Sequence, residues 1–72
     1  MFNAEKFSKR LRELMTQSGD KNASLGRKIG VSGQCVGLWL AQKREPHISH
    51  VYAIAKLYDI SAEYLAGFTD EF

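Results

Sequence analysis

Apolar positions along this chain recur every three to four residues, and no stretch alternates with a period of two, so the pattern predicts helices throughout and gives a β domain no support. Phe7, Leu11, Leu14 and Met15 fall at i, i+4, i+7 and i+8 and predict an amphipathic first helix. Asn3 suits its N-cap, Glu5 favours its positive end, and Gly19 marks the point before which it stops. Phe2 and Phe7 flank the cap with the spacing of a hydrophobic staple. Leu25 and Ile29 mark a second helix, capped by Asp20 or Asn22; the residues do not choose between them. Gly30 then interrupts, Val31 tucks in, and Ser32 opens a third helix whose inward residues are Val36 and Trp39. In the connection LAQKREP, Pro46 restricts Glu45 to extended geometry and keeps the third helix from continuing. A fourth helix places Ile48, Val51, Ile54, Ala55 and Tyr58 on a wide apolar face and ends at Asp59. Ile60 re-enters the core, Ser61 caps a short fifth helix holding Tyr64 and Leu65, and Gly67 stops it.

Within this series the stretch from Asn22 to about Leu40 stands out. Two short helices joined through a glycine turn of three to four residues are the sequence signature of a helix-turn-helix. Gly30 fits the reversal because only glycine reaches positive φ without a steric cost. Gly26, inside the second helix, costs roughly 1 kcal/mol relative to alanine. That cost is explained if the two arms approach closely there. The expectation is an all-α, five-helix fold forming one domain over residues 1–72.

Composition narrows the chemistry. A net charge of +2 says little alone, but Lys and Arg dominate up to Arg44, whereas the tail carries Asp59, Glu63, Asp70 and Glu71 and no basic residue. A basic front and an acidic rear suit a domain that meets phosphates with one face. Lys6, Lys9, Arg10 and Arg12 decorate the outer side of the first helix and read mostly as a solvated face. The single cysteine, Cys35, excludes an intramolecular disulfide and fits a reducing cytoplasm. No basic residue adjoins it, so it reads as a small packing residue. No run is long enough for a signal peptide or a bilayer span. His47 and His50 are three apart but lack further ligands, so surface or capping roles are expected and no metal. No nucleophile with a base, phosphate loop or carboxylate pair is assembled, so neither an enzyme nor a cofactor or small-molecule site is expected.

The pieces RLREL, LGRKIGVS, V..WL, KREP, VYAIAKLYDIS and EYLAGFTD together resemble the lambda-repressor-like (Xre/Cro/CI type) helix-turn-helix family over nearly the whole chain. Members are mostly bacterial and phage transcription regulators that bind operator DNA as dimers. The resemblance implies that the helix from Ser32 to about Leu40 lies in the major groove and that the preceding helix crosses the backbone. It puts Gly33, Gln34, Gly37 and Leu38 on positions that face base edges. It puts Asn22, Ser32, Lys43 and Arg44 on positions that grip phosphates. Gln34 can pair bidentately with adenine, and Leu38 can contact a thymine methyl. The family's frequent ion pair between the first and third helices falls on Met15 and Leu40, both apolar here, so these two are expected to touch. Asp20 stands where the family prefers an apolar residue, and Ala41-Gln42 replaces its usual Asn-Gly turn.

The expected function is therefore double-stranded DNA binding as a bacterial or prophage transcriptional regulator, a repressor in the first instance, located in the cytoplasm on the nucleoid. Two glycines on the reading face also permit an alternative: a protein-interaction module, such as an antirepressor or an assembly component, that has lost direct DNA readout. Tyr64, Leu65, Phe68 and Phe72 are candidates for a homodimer contact; the aromatic tail could equally fold back on its own core. The acidic ending is compatible with the start of a linker to a longer regulator.

Overall fold

A computed structural model describes residues 1–71, and among these the regular structure is helical: α1 (Ala4–Ser18), α2 (Asn22–Ile29), α3 (Gly33–Leu40), α4 (Ile48–Tyr58) and α5 (Ala62–Ala66). Three helices begin where a short polar side chain satisfies a free backbone N–H. Asn3 Oδ1 accepts from the Lys6 N–H at 3.0 Å, Ser32 Oγ from Cys35 at 3.1 Å, and Ser61 Oγ from Tyr64 at 3.0 Å. Phe2 and Phe7 meet beside the first of these caps with ring centroids 5.3 Å apart, which fixes the entry into α1. Asp59 ends α4 in the left-handed conformation at φ 58°.

The start of α2 differs from both expectations. Lys21 is its N-cap residue, and Ser24 Oγ accepts from the Lys21 N–H at 2.7 Å. Asn22 is the first helical residue. Asp20 cannot cap because its carboxylate is turned inward, with the side chain only 4% exposed. There it accepts from the Tyr58 hydroxyl and the Lys28 ammonium, each at 2.7 Å. The Lys28 and Tyr58 bonds hold the Asp20 carboxyl below the usual carboxylate range, and burial together with the Asp20 carboxylate pushes the Tyr58 phenol above its own.

One core gathers all five helices: Phe7, Leu11 and Met15 of α1, Leu25 of α2, Val36 and Trp39 of α3, Val51, Ile54 and Ala55 of α4, and Leu65 and Ala66 of α5. Trp39 lies at its centre, edge-on to Phe7 with centroids 6.4 Å apart and against His50 at 5.5 Å. It is core, as its place on the Val36 stripe requires. Ile48 departs from the expected pattern: it is 64% exposed. The apolar stripe of α4 outruns the core in its first turn, and Ile48 instead borders a shallow groove with Tyr52, Ala62 and Phe68.

Arg10 departs from expectation as well. It is not part of a solvated face; its side chain is 11% exposed and clasps the C-terminal residues onto α1. The guanidinium donates to the carbonyls of Tyr64 and Thr69 and to the Asp70 carboxylate, and it stacks 4.0 Å from the Tyr64 ring centroid. Lys6 reaches the same carboxylate at 3.3 Å. The acidic tail thus pairs one carboxylate with two cations of α1, and Arg10, then Lys6, keep the Asp70 carboxyl below its ordinary value.

Candidate nucleic-acid interface

The α2–turn–α3 unit is built on glycines with different reasons to be glycine. Gly30 closes α2 at φ 83°, and its N–H and that of Val31 both reach the Gly26 carbonyl at 2.8 Å. Gly26 itself is buried, and a methyl there would run into the Val31 carbonyl oxygen. The arms do approach closely at this point, which is the reason for a glycine inside α2. Gly33 faces the α2 N-terminus: its missing Cβ would lie 3.1 Å from backbone atoms of Ala23. Gly37, one turn later, would place a Cβ 3.4 Å from Asn22 Nδ2. The two glycines form a flat strip against which residues 22–23 pack.

Around this strip the candidate contact residues are available to a partner. Gln34 is exposed and Leu38 half-buried. Asn22 and Ser32 are exposed as well. The Ser32 oxygen accepts the capping bond, which leaves its O–H to donate elsewhere. Lys43 and Arg44 are exposed in the loop after α3. That loop is tied back to the helix: the Gln42 N–H reaches the Trp39 carbonyl at 3.1 Å, and the Lys43 N–H reaches the Leu38 carbonyl at 2.9 Å. Gln42 takes the left-handed conformation (φ 61°) that an Asn-Gly turn supplies more readily, so Ala41-Gln42 makes the same kind of helix ending.

Among the described residues the ion pairs engage Lys6, Arg10 and Lys28, while the other seven cations, Lys9, Arg12, Lys21, Arg27, Lys43, Arg44 and Lys56, are held in none; Lys21, Lys43 and Arg44 flank the helix pair in sequence. Arg12, Lys21 and Asn22 border a cleft of about 460 Å³ that Met15 and Leu40 also line. Met15 is buried, and Leu40 is packed against the core cluster. No acidic residue lies in the first turn of α3, which leaves its positive end uncompensated, whereas the α2 start has the Asp20 carboxylate beside it, bonded to Ser24 at 3.2 Å.

The aromatic candidates divide. Leu65 is fully buried, so it cannot take part in a contact between chains; α5 turns it inward to Ala66 and the core. Tyr64 is covered by Arg10. Phe68 is 54% exposed, and Phe72 lies outside the described residues. Ile48 and Tyr52, not singled out by the sequence for this role, join Phe68 in the exposed apolar patch. His47 occupies the N-cap of α4 without a side-chain capping bond. Cys35 packs against the core from α3. Among the described residues no three His, Cys, Asp or Glu side chains are grouped to hold a metal, and no helix is long and apolar enough to cross a membrane.

Five helices around one apolar centre, with a glycine-hinged pair that presents Gln34 of α3 at the surface, define a helix-turn-helix domain. The helix-turn-helix family model matches residues 11–65, and the chain belongs to this lambda-repressor-like family, a family of transcription-regulator DNA-binding domains rather than of enzymes. Among its relatives is an uncharacterized HTH-type transcriptional regulator, YobD, of Bacillus subtilis (strain 168), 31% identical over 65 residues. That match covers 90% of this chain, which spans 58% of the relative's length. Among solved structures, the P22 c2 repressor in complex with a synthetic operator is 25% identical with a TM-score of 0.80, covering 88% of this chain and 96% of that one. The SOS-response repressor LexA of Eubacterium rectale is also 25% identical, with a TM-score of 0.81 over 88% of this chain and 67% of that one.

Proposed function

We propose that this chain is the sequence-specific DNA-binding domain of a bacterial or prophage transcriptional repressor, acting in the cytoplasm on the nucleoid. In this reading α3 enters the major groove, Gln34 reads a base edge and Leu38 meets a thymine methyl, while Gly33 and Gly37, expected from the sequence to face bases, let the α2 N-terminus lie close against α3. Ser32, Lys43, Arg44 and the α2 N-terminus at Asn22 grip phosphates on either side. The observation that carries the reading is the exposed amide of Gln34 on a capped helix, with a loop carrying two unpaired cations tied back to that helix's end. The P22 c2 repressor, so similar in fold, is described bound to an operator. A homodimer on a two-fold operator completes the proposal, with Phe68, Ile48 and Tyr52 as its contact.

Two variants test the division of labour. Arg44→Ala should weaken binding to all duplexes alike and reduce the salt slope by about 1. Gln34→Ala should cost ~1–3 kcal/mol at one base pair and relax the choice there, with the slope unchanged. Equal, sequence-independent effects of both would remove Gln34 from readout. Absence of any salt-dependent binding to duplex DNA by the wild type would defeat the whole reading.

A further inference from the structure

The first residue of α2 lies across the glycine strip of α3. Asn22 Nδ2 stands 3.4 Å from where a Gly37 Cβ would be, and Ala23 backbone atoms stand 3.1 Å from where a Gly33 Cβ would be. Asn22 is exposed, and among the described residues its carboxamide is engaged by no other group. In a glutamine the amide nitrogen lies roughly 3–4 Å from its own Cβ, by ordinary bond lengths. The Asn22 amide therefore stands about as far from position 37 as the head of a glutamine there would.

We infer that Asn22 is a specificity-determining residue: its carboxamide, delivered from the neighbouring helix, reads a base edge in place of the side chain that Gly37 lacks. This rests on the DNA-binding reading above. A carboxamide offers a donor and an acceptor in one plane, the complement of adenine N7 and N6 in the major groove. Gripping a phosphate would use only the N–H and leave the carbonyl idle. With Gln34 exposed on the same helix, the surface carries two amides, and two A·T pairs per half-site are the matching target. The glycines are then what make room for a borrowed side chain. The α2 backbone at Asn22 remains free to meet a phosphate while its side chain turns to the bases.

The test is selection of bound duplexes from a random pool, read by sequencing, with a salt titration on the selected sites. Wild type, Asn22→Ala, Gly37→Gln and the double variant are compared as full chains. Asn22→Ala should lose discrimination at one base pair per half-site, roughly five- to hundred-fold, with an unchanged salt slope. Gly37→Gln should alter preference at that same base pair and make the further Asn22→Ala change silent. Asn22 is solvent-facing and Gly37→Gln adds a helix former, so melting temperatures no lower than the parent's will separate readout from folding. If Asn22→Ala instead weakens every duplex equally and lowers the slope by about 1, Asn22 is a phosphate anchor only and the inference is overturned. An unchanged preference overturns it too. A wild type that binds no duplex overturns the DNA-binding reading itself, which the other outcomes leave standing.

Discussion

Three glycines of the helix pair look alike in the sequence and differ in what surrounds them. Each forgoes roughly 1 kcal/mol of helix propensity relative to alanine. At Gly26 that sacrifice is unavoidable, because a methyl meets the backbone carbonyl of Val31, which cannot rotate away. At Gly33 the obstacle is again backbone, at 3.1 Å from Ala23, and a shift of a few tenths of an ångström would relieve it. At Gly37 the neighbour is the end of a mobile side chain at 3.4 Å. Alanine substitution should therefore be graded. Gly26→Ala should destabilise by about 1–3 kcal/mol or more through overpacking. Gly33→Ala should fall near zero, as the recovered propensity offsets the crowding. Gly37→Ala should stabilise by up to ~1 kcal/mol. Urea midpoints give the order directly; a Gly37→Ala variant less stable than the parent would contradict it. The spacing of apolar residues shows that glycines interrupt these helices, but not which atom each one faces. That depends on a partner from another element.

At the level of elements, legibility followed the range of the interaction. The caps at Asn3, Ser32 and Ser61 and the helix ends at Gly19, Gly30, Asp59 and Gly67 depend on bonds within four or five residues, and the sequence pattern displays them. The α1–α2 junction does not work that way. Asp20 is joined to Tyr58 across thirty-eight positions, and Arg10 to Thr69 across fifty-nine; no local pattern encodes either bond. Asp20 replaces an apolar contact by a satisfied polar one, which explains how a carboxylate is tolerated where the family prefers a hydrophobe. The junction should respond to acid. Asp20 has its folded pKa depressed below the ordinary 3.8, so its contribution to stability is fully present above that value and is lost as pH falls through the lower folded value. Asp70 acts in the same direction from the surface, where solvent screening makes its share small. Tyr58, raised rather than lowered, keeps its proton beyond the normal tyrosine range and donates throughout the acid limb. The expected outcome is a wild-type stability that drops below about pH 4 and an Asp20→Asn variant whose drop is shallower, from a lower neutral-pH starting point. Urea unfolding from pH 2 to 7 would read this, and identical acid limbs for the two proteins would show that Asp20 is not the titrating link.

For the molecule as a whole, folding the acidic tail onto α1 gives the charge asymmetry of the sequence a spatial meaning. Asp70 pairs with Lys6 and Arg10 on the α1–α5 side, while the other cations outside the Lys28–Asp20 pair, Lys21, Lys43 and Arg44 around the helix pair among them, are left unpaired. The same fold-back presents Phe68. Its N–H is bonded to the Glu63 carbonyl at 2.9 Å, the next carbonyl, Thr69, is held by Arg10 at 2.8 Å, and the ring is 54% exposed beside Ile48 and Tyr52. The two fates offered for the aromatic tail are therefore not exclusive: the backbone folds back while the Phe68 ring faces outward. Three large apolar side chains on one surface favour self-association, and a two-fold arrangement would pair like patches and align two α3 helices with the halves of a palindrome. Sedimentation of the wild type should show a reversible dimer, and Phe68→Ser or Tyr52→Ser should shift it to monomer; at dilutions where the wild type is monomeric too, the melting temperatures should agree, since both side chains are solvent-facing. On DNA the same variants should retain binding to a single half-site and lose the added affinity of the two-fold site, because only simultaneous engagement supplies it. A wild-type dimer whose mass is unmoved by both substitutions would place the contact elsewhere on the surface. A protein that stays monomeric even on a two-fold duplex would remove the homodimer from the proposed function, while leaving α3 and its amides to be judged on a half-site alone.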